Sequence, residues 1–91
     1  MIIARVIGNI WATRKDEKLN GLKFMVVKPL KEDMSEEAGS LVAADNAGAG
    51  VGDVVLITTG SSARLSLSKE NIPADAVIVG IVDTVELDQG D

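Results

Sequence analysis

The sequence lacks the two residue types that most often supply reactivity near neutral pH. It contains no cysteine and no histidine, which excludes a disulfide framework, a thiolate nucleophile or ligand, and an imidazole for metal binding or proton transfer. The absence of cysteine is also compatible with a reducing compartment. Chemistry that depends on either of these two side chains is therefore excluded.

Aromatic residues and positive charge are also scarce. Trp11 and Phe24 are the only aromatic residues, which is too few for the stacking platform of a single-strand nucleic-acid binder. Nine basic residues against fourteen acidic ones give a net charge of −5, which opposes attraction to nucleic acid and to anionic lipid. The sequence shows neither a secretory leader nor an apolar run of membrane-spanning length. We therefore expect a soluble, cytoplasmic protein that binds neither nucleic acid nor membrane.

The apolar residues that are present predict β-strands. The alternating or β-branched runs cover residues 2–13, 22–30, 41–44, 54–59 and 76–87. Their spacing without long helices excludes a doubly wound fold, and a small sheet that closes on itself loses its exposed edges. We predict an all-β fold: a small five-stranded, OB-like barrel with one short helix that opens in residues 60–65, forming a single domain over residues 1–91.

The first predicted strand is apolar on both faces. One face carries Ile3, Ile7 and Trp11, and the other carries Ile2, Ala4, Val6, Ile10 and Ala12. This pattern indicates a strand that is covered on both sides. A domain of this size covers one face with its own core, so we predict that the second face meets a neighbouring subunit. Cover by the domain's own loops or helix is the alternative.

The central stretch, residues 43–64, combines closely spaced glycines with two short polar motifs. Gly48, Gly50 and Gly52 form G-x-G-x-G, and a β-branched run follows them, whereas a phosphate cradle requires a helix N-terminus at that point. We therefore predict a sharp turn between two strands. Ser61 or Ser62 is expected to cap a helical turn, since a nucleophilic serine needs a base and the sequence has no histidine.

Three carboxylates accompany this stretch or the last strand. We interpret Asp45, Asp53 and Asp83 as structural carboxylates, and the guanidinium of Arg64 suits a pairing with any of them. Such a pair within one subunit or across two subunits is equally compatible with the sequence. The enzymatic alternative is a Mg²⁺ site built from the same three carboxylates, although their spacing does not require them to converge.

Several sequence blocks resemble those of the EutN/CcmL family, the pentameric vertex proteins of bacterial microcompartment shells. In order along the chain, they are Gly8-x-Ile10-x-Ala12-Thr13-x-Lys15, Leu19-x-Gly21-x-Lys23, Ala43-Ala44-Asp45-x-x-Gly48-Ala49-Gly50-x-Gly52-Asp53, Gly60-Ser61-Ser62-Ala63-Arg64, Pro73-x-Asp75-Ala76 and Gly80-Ile81-Val82-Asp83. Because the blocks occur in the same order and cover most of the chain, they are more specific together than any of them alone.

The resemblance implies a structural role, with no catalytic residue, no cofactor and no metal. The expected assembly is a homopentamer that caps the vertices of a polyhedral shell in the cytoplasm and contacts the hexameric shell proteins that tile the faces. The resemblance further places a set of small residues and one arginine near subunit contacts or the axial opening, namely Gly48, Ala49, Gly50, Gly60, Ser61, Ser62 and Arg64. The alternative is a small OB-like ligand-binding module without a shell role.

Overall fold

Five β-strands form the described part of the molecule. In the computed structural model, which describes residues 1–11, 21–60 and 75–88, the strands are β1 (Ile2–Ile10), β2 (Lys23–Pro29), β3 (Leu41–Asp45), β4 (Val54–Thr59) and β5 (Ala76–Ile81). The predicted all-β fold is therefore confirmed. The short helix that we predicted in residues 60–65 lies outside the described residues, apart from Gly60.

The strands close into a barrel in the order β1-β2-β3-β5-β4. Neighbouring strands are antiparallel except β3 and β5, which run parallel and meet where Ala44 lies opposite Val77 and Asp45 lies opposite Ile78. Each of these strands has a hydrogen-bonded neighbour on both sides. Among the described residues, closure therefore removes most of the strand edge that an open sheet would expose.

Because side chains alternate between the two faces of each strand, one set of small apolar side chains points into the barrel. Residues of this core are Ala4, Val6, Met25, Val27, Ala43, Ala49, Val55, Ile57, Ala76 and Ile78. On β2, Met25 and Val27 point inward, whereas Phe24 and Val26 lie on the opposite face. The narrow interior explains why the sequence uses small and β-branched residues, with no aromatic side chain, at these positions.

A second, smaller apolar cluster lies on the outer face of β2, β3 and β5. Ala44 and Val77 are buried there, and Leu22, Phe24 and Val79 pack against them. Part of the two-sided apolarity of the sequence is therefore satisfied within the subunit.

A bulge in β1 reverses the alternation that we predicted for this strand. The pairing with β2 shifts between Val6 and Gly8, so that Val6 points into the core while Gly8 lies opposite Val26 on the outer face. Our assignment of Ile10 to the same face as Val6 is therefore wrong, because the extra residue at the bulge displaces every later side chain by one position. Ile10 lies opposite Phe24.

The last strand is shorter than predicted. β5 ends at Ile81, six residues before the predicted limit of residue 87, and just beyond it the Val82 N–H donates a hydrogen bond to the carbonyl of Val54 (2.7 Å). The pairing of β4 with β5 shifts between Leu56 and Ile57, opposite Gly80 and Ile78. This irregularity is a β-bulge beside Gly80. Among the described residues we find no helix with the length and hydropathy that a membrane span requires.

Candidate functional site

The glycine turn, residues 46–53 between β3 and β4, closes one end of the barrel. Ala49 at its centre is 2% exposed and belongs to the barrel core, and Ala47 packs against the same core. The turn is therefore an internal cover for the barrel as well as a connection between two strands. The burial of Ala49 was not predicted, since the flanking glycines gave no indication of a core position.

Two carboxylates hold this turn in place. The Oδ1 atom of Asp45 accepts a hydrogen bond from the Ala47 N–H (3.0 Å), and its Oδ2 atom accepts one from the Ala49 N–H (3.0 Å). At the other end of the turn, Asp53 Oδ2 accepts a hydrogen bond from the Gly50 N–H (2.8 Å). The two side chains therefore supply acceptors for three backbone donors that have no strand partner.

The glycine turn is also joined to the neighbouring strands. The Val6 N–H donates to the carbonyl of Asp53 (2.9 Å), and the Gly52 N–H donates to the carbonyl of Val6 (2.9 Å). The ammonium of Lys23 donates to the carbonyl of Ala49 at 3.3 Å. These bonds fix the turn alongside the bulge of β1.

The backbone of the turn requires glycine at particular positions. Gly48 has φ of 76° and Gly52 has φ of 95°, a region that a residue with a Cβ enters only at a cost. Gly50 has no positive φ, and a Cβ built there would lie 3.9 Å from Asp53 Oδ2, an ordinary contact distance.

We expect Gly52→Ala to lower the free energy of unfolding by about 1–2 kcal/mol, because alanine is strained at this φ. Gly50→Ala is the matched control and should change that free energy by less than about 1 kcal/mol. Urea unfolding of the two variants at one chain concentration measures both values. Equal destabilisation by the two substitutions would contradict the backbone argument.

The remaining predicted site residues differ in exposure, and three of them lie outside the described residues. Gly48 and Gly60 are exposed, Gly50 is partly exposed, and Ser61, Ser62 and Arg64 lie outside the described residues. Asp83 is exposed beyond the end of β5. Within the described ranges, no group of three or more carboxylates is close enough together to hold a metal ion.

The described surface carries large apolar side chains that sequence reasoning did not bring together. Those that are exposed are Met1, Ile7, Trp11, Val42, Val51, Ile81 and Leu87. Trp11, which follows β1, is 90% exposed. Val42 lies in a short alternating run and Val51 lies between two glycines, so the sequence alone does not predict that either side chain is exposed. Val26 did indicate a second apolar face on β2. Its neighbours on that face, Gly8 and Val42, are identified only by the pairing of the strands.

Four of the outer-face residues form a continuous row, which we call the apolar stripe: Ile7, Gly8, Val26 and Val42. Gly8 lies opposite Val26, and Val26 lies opposite Val42, on adjacent strands. Val42 is 50% exposed and Ile7, at the bulge, is 48% exposed. The apolar stripe offers apolar contact to a partner, and none of its four residues has a nucleophilic or ionisable side chain.

The chain is similar in sequence and backbone to known proteins. A family model described as "Ethanolamine utilisation protein EutN/carboxysome" matches residues 1–83. The bacterial microcompartment shell vertex protein GrpN of Rhodospirillum rubrum is 44% identical over 86 residues, covering 94% of this chain and 97% of that protein. The carboxysome shell vertex protein CcmL of Thermosynechococcus vestitus is 43% identical over 88 residues, covering 97% and 89%.

A solved structure extends the likeness to three dimensions. The pentameric microcompartment shell protein GrpN from Rhodospirillum rubrum superposes with a TM-score of 0.87 at 42% identity, covering 96% of this chain and 99% of that one. The similarity therefore includes the whole barrel.

Proposed function

The chain belongs to the EutN/CcmL family, and from this premise we propose that it is a structural shell protein whose five copies form a ring at the vertices of a bacterial microcompartment. The observation that carries the proposal is the match, over nearly the full length of both chains, to a relative solved as a pentameric shell protein. The relatives named as shell vertex proteins support this function over that of a small ligand-binding module. The chain accordingly resides in the microcompartment shell, in the cytoplasm.

The mechanism is geometric. A flat layer of six-fold units cannot close into a polyhedron, and a five-fold unit at each vertex supplies the missing curvature. A cyclic ring uses a heterologous contact, in which one patch of a subunit meets a different patch of the next, and the rotation must close. The neighbours of the ring are then hexameric shell proteins, and the protein acts without catalysis.

Small size favours such an association. A chain of 91 residues buries roughly 60–65% of its unfolded surface on folding, which leaves limited stability. Burial of outer-face apolar residues against a neighbour adds to the stability of each subunit. Contacts between rigid closed barrels also preserve the angle between neighbouring subunits, on which ring closure depends.

We expect native mass spectrometry of the purified chain to give one main species of five chains, each of 9.5 kDa. Co-expression with hexameric shell proteins should give closed shells by electron microscopy, whereas omission of this chain should leave open sheets, tubes or shells with missing vertices. A monomer at micromolar concentration, or closed vertices that form equally well without the chain, would contradict the proposed function.

A further inference from the structure

We propose that the apolar stripe is the surface by which each subunit contacts the next copy of the chain, and that it packs against a second apolar row on the opposite side of β1. The inference rests on the proposed ring and specifies the two surfaces that build it.

The stripe is exposed because of the β1 bulge. The bulge turns Gly8 outward, where a Cβ would lie 4.0 Å from the Cβ of Val26. Since glycine has no side chain there, it leaves the side of Val26 open to a neighbour. Val42 continues the row on β3.

The glycine turn extends the same surface. The hydrogen bond from the Gly52 N–H to the carbonyl of Val6 places Val51, which is 60% exposed, alongside the bulge with Ile7. Ile7, Val42 and Val51 are thus exposed apolar side chains on this side of the barrel, and a grouping of such residues marks an interaction surface.

The second row consists of Ile3, Leu56 and Gly80. Ile3 lies opposite Leu56 on β4, and Leu56 lies opposite Gly80 on β5. These residues are on the outer face, since their neighbours Ala4 and Val55 are in the barrel core. A Cβ on Gly80 would lie 3.9 Å from Leu56 Cδ1, so this row also has a glycine beside a branched side chain.

The two rows have the arrangement that a heterologous contact requires. Both rows begin on β1 and extend in opposite directions, the stripe across β2 and β3 and the second row across β4 and β5, and Arg5 lies between them along β1. Arg5 Nη1 is 3.8 Å from Glu36 Oε1, which gives the patch a polar border. A second copy is thus the occupant: the pentameric relative has the same backbone, and apolar contact avoids the repulsion between copies that each carry a net charge of −5.

A charged residue at the centre of either row tests the assignment. We expect Val42→Lys and Leu56→Lys each to abolish the pentamer and to give monomers in native mass spectrometry, because an unpaired ammonium would be buried at every contact of the ring. An equimolar mixture of the two variants should give a heterodimer, since the intact second row of Val42→Lys meets the intact stripe of Leu56→Lys. Neither chain of that heterodimer can extend the assembly.

The matched controls are Ser40→Lys, just before β3, and Thr59→Lys, at the end of β4, since both positions are exposed and polar. Both controls should keep the pentamer. Circular dichroism checks the fold of each variant, and Ile3→Lys replaces Leu56→Lys if the latter is unfolded.

The outcomes separate the inference from the function on which it rests. A wild-type chain that is not pentameric contradicts the proposed function. A pentameric wild type together with a pentameric Val42→Lys variant overturns the assignment of the stripe. Monomeric single variants that fail to form a heterodimer on mixing overturn the pairing of the stripe with the second row.

Discussion

Replacement of Asp45 by alanine is expected to lower the free energy of unfolding by about 2–4 kcal/mol, because the backbone N–H groups of Ala47 and Ala49 both lose their acceptor. Loss of these two hydrogen bonds should loosen the packing at this end of the barrel as well as the turn itself, since Ala49 belongs to the core. Urea unfolding at one fixed chain concentration measures the effect and keeps the contribution of subunit association comparable between variants.

Two further variants calibrate this result. Asp45→Asn retains one oxygen acceptor and should lose about half as much stability as Asp45→Ala. Asp83→Ala removes an exposed carboxylate beyond β5 and should change the free energy of unfolding by less than about 0.5 kcal/mol. If Asp45→Ala costs no more than Asp83→Ala, the carboxylate does not hold the glycine turn.

Ile57→Ala is expected to lower the free energy of unfolding by about 2–5 kcal/mol through the cavity it leaves in the barrel. Ile57 has no exposed surface and lies opposite Ile2 on one side and Ile78 on the other. Because small domains have only about 5–15 kcal/mol of stability in total, the isolated subunit should populate unfolded forms at moderate temperature. Thermal unfolding followed by circular dichroism measures the change.

Two milder substitutions in the same strand serve as controls for Ile57→Ala. Ile57→Val removes one methylene group and should cost about 0.5–1.5 kcal/mol, whereas Thr59→Ala, at an exposed position of the same strand, should cost less than about 0.5 kcal/mol. An Ile57→Ala variant as stable as Thr59→Ala would contradict the assignment of this residue to the core.

The strands of the barrel were predictable because local sequence determines them. The β-branched run of β4 has the bounds that we predicted, Val54–Thr59, since glycine stands on both sides of it. The end of β5 was not predictable: β-branched residues continue past Ile81 at Val82, Thr84 and Val85, whereas the pairing ends beside Val54, where the antiparallel strand β4 begins. The parallel contact of β3 with β5 joins segments that are distant in sequence, and no local pattern indicates it.

The sequence predicts that the outer face of the barrel is partly apolar, but it does not predict which residues are exposed there. The two-sided apolarity of β1 indicated an apolar outer face, and Ile7 is exposed there; that a neighbouring subunit covers this face stays a prediction. The bulge at Ile7 then changed which of these residues face outward, because a single extra residue alters alternation without changing composition. Likewise, a valine such as Val42 can be recognised as exposed only after Val26 has been placed opposite it.

Trp11, which is exposed just after the end of β1, provides an intrinsic fluorescence probe. The sequence has no other tryptophan and no tyrosine, so fluorescence excited in the indole band arises from this one side chain. Emission at long wavelength reports an indole in water, and a shift to shorter wavelength reports a partner that covers it. Association at this end of the barrel can therefore be followed in dilute solution without any label.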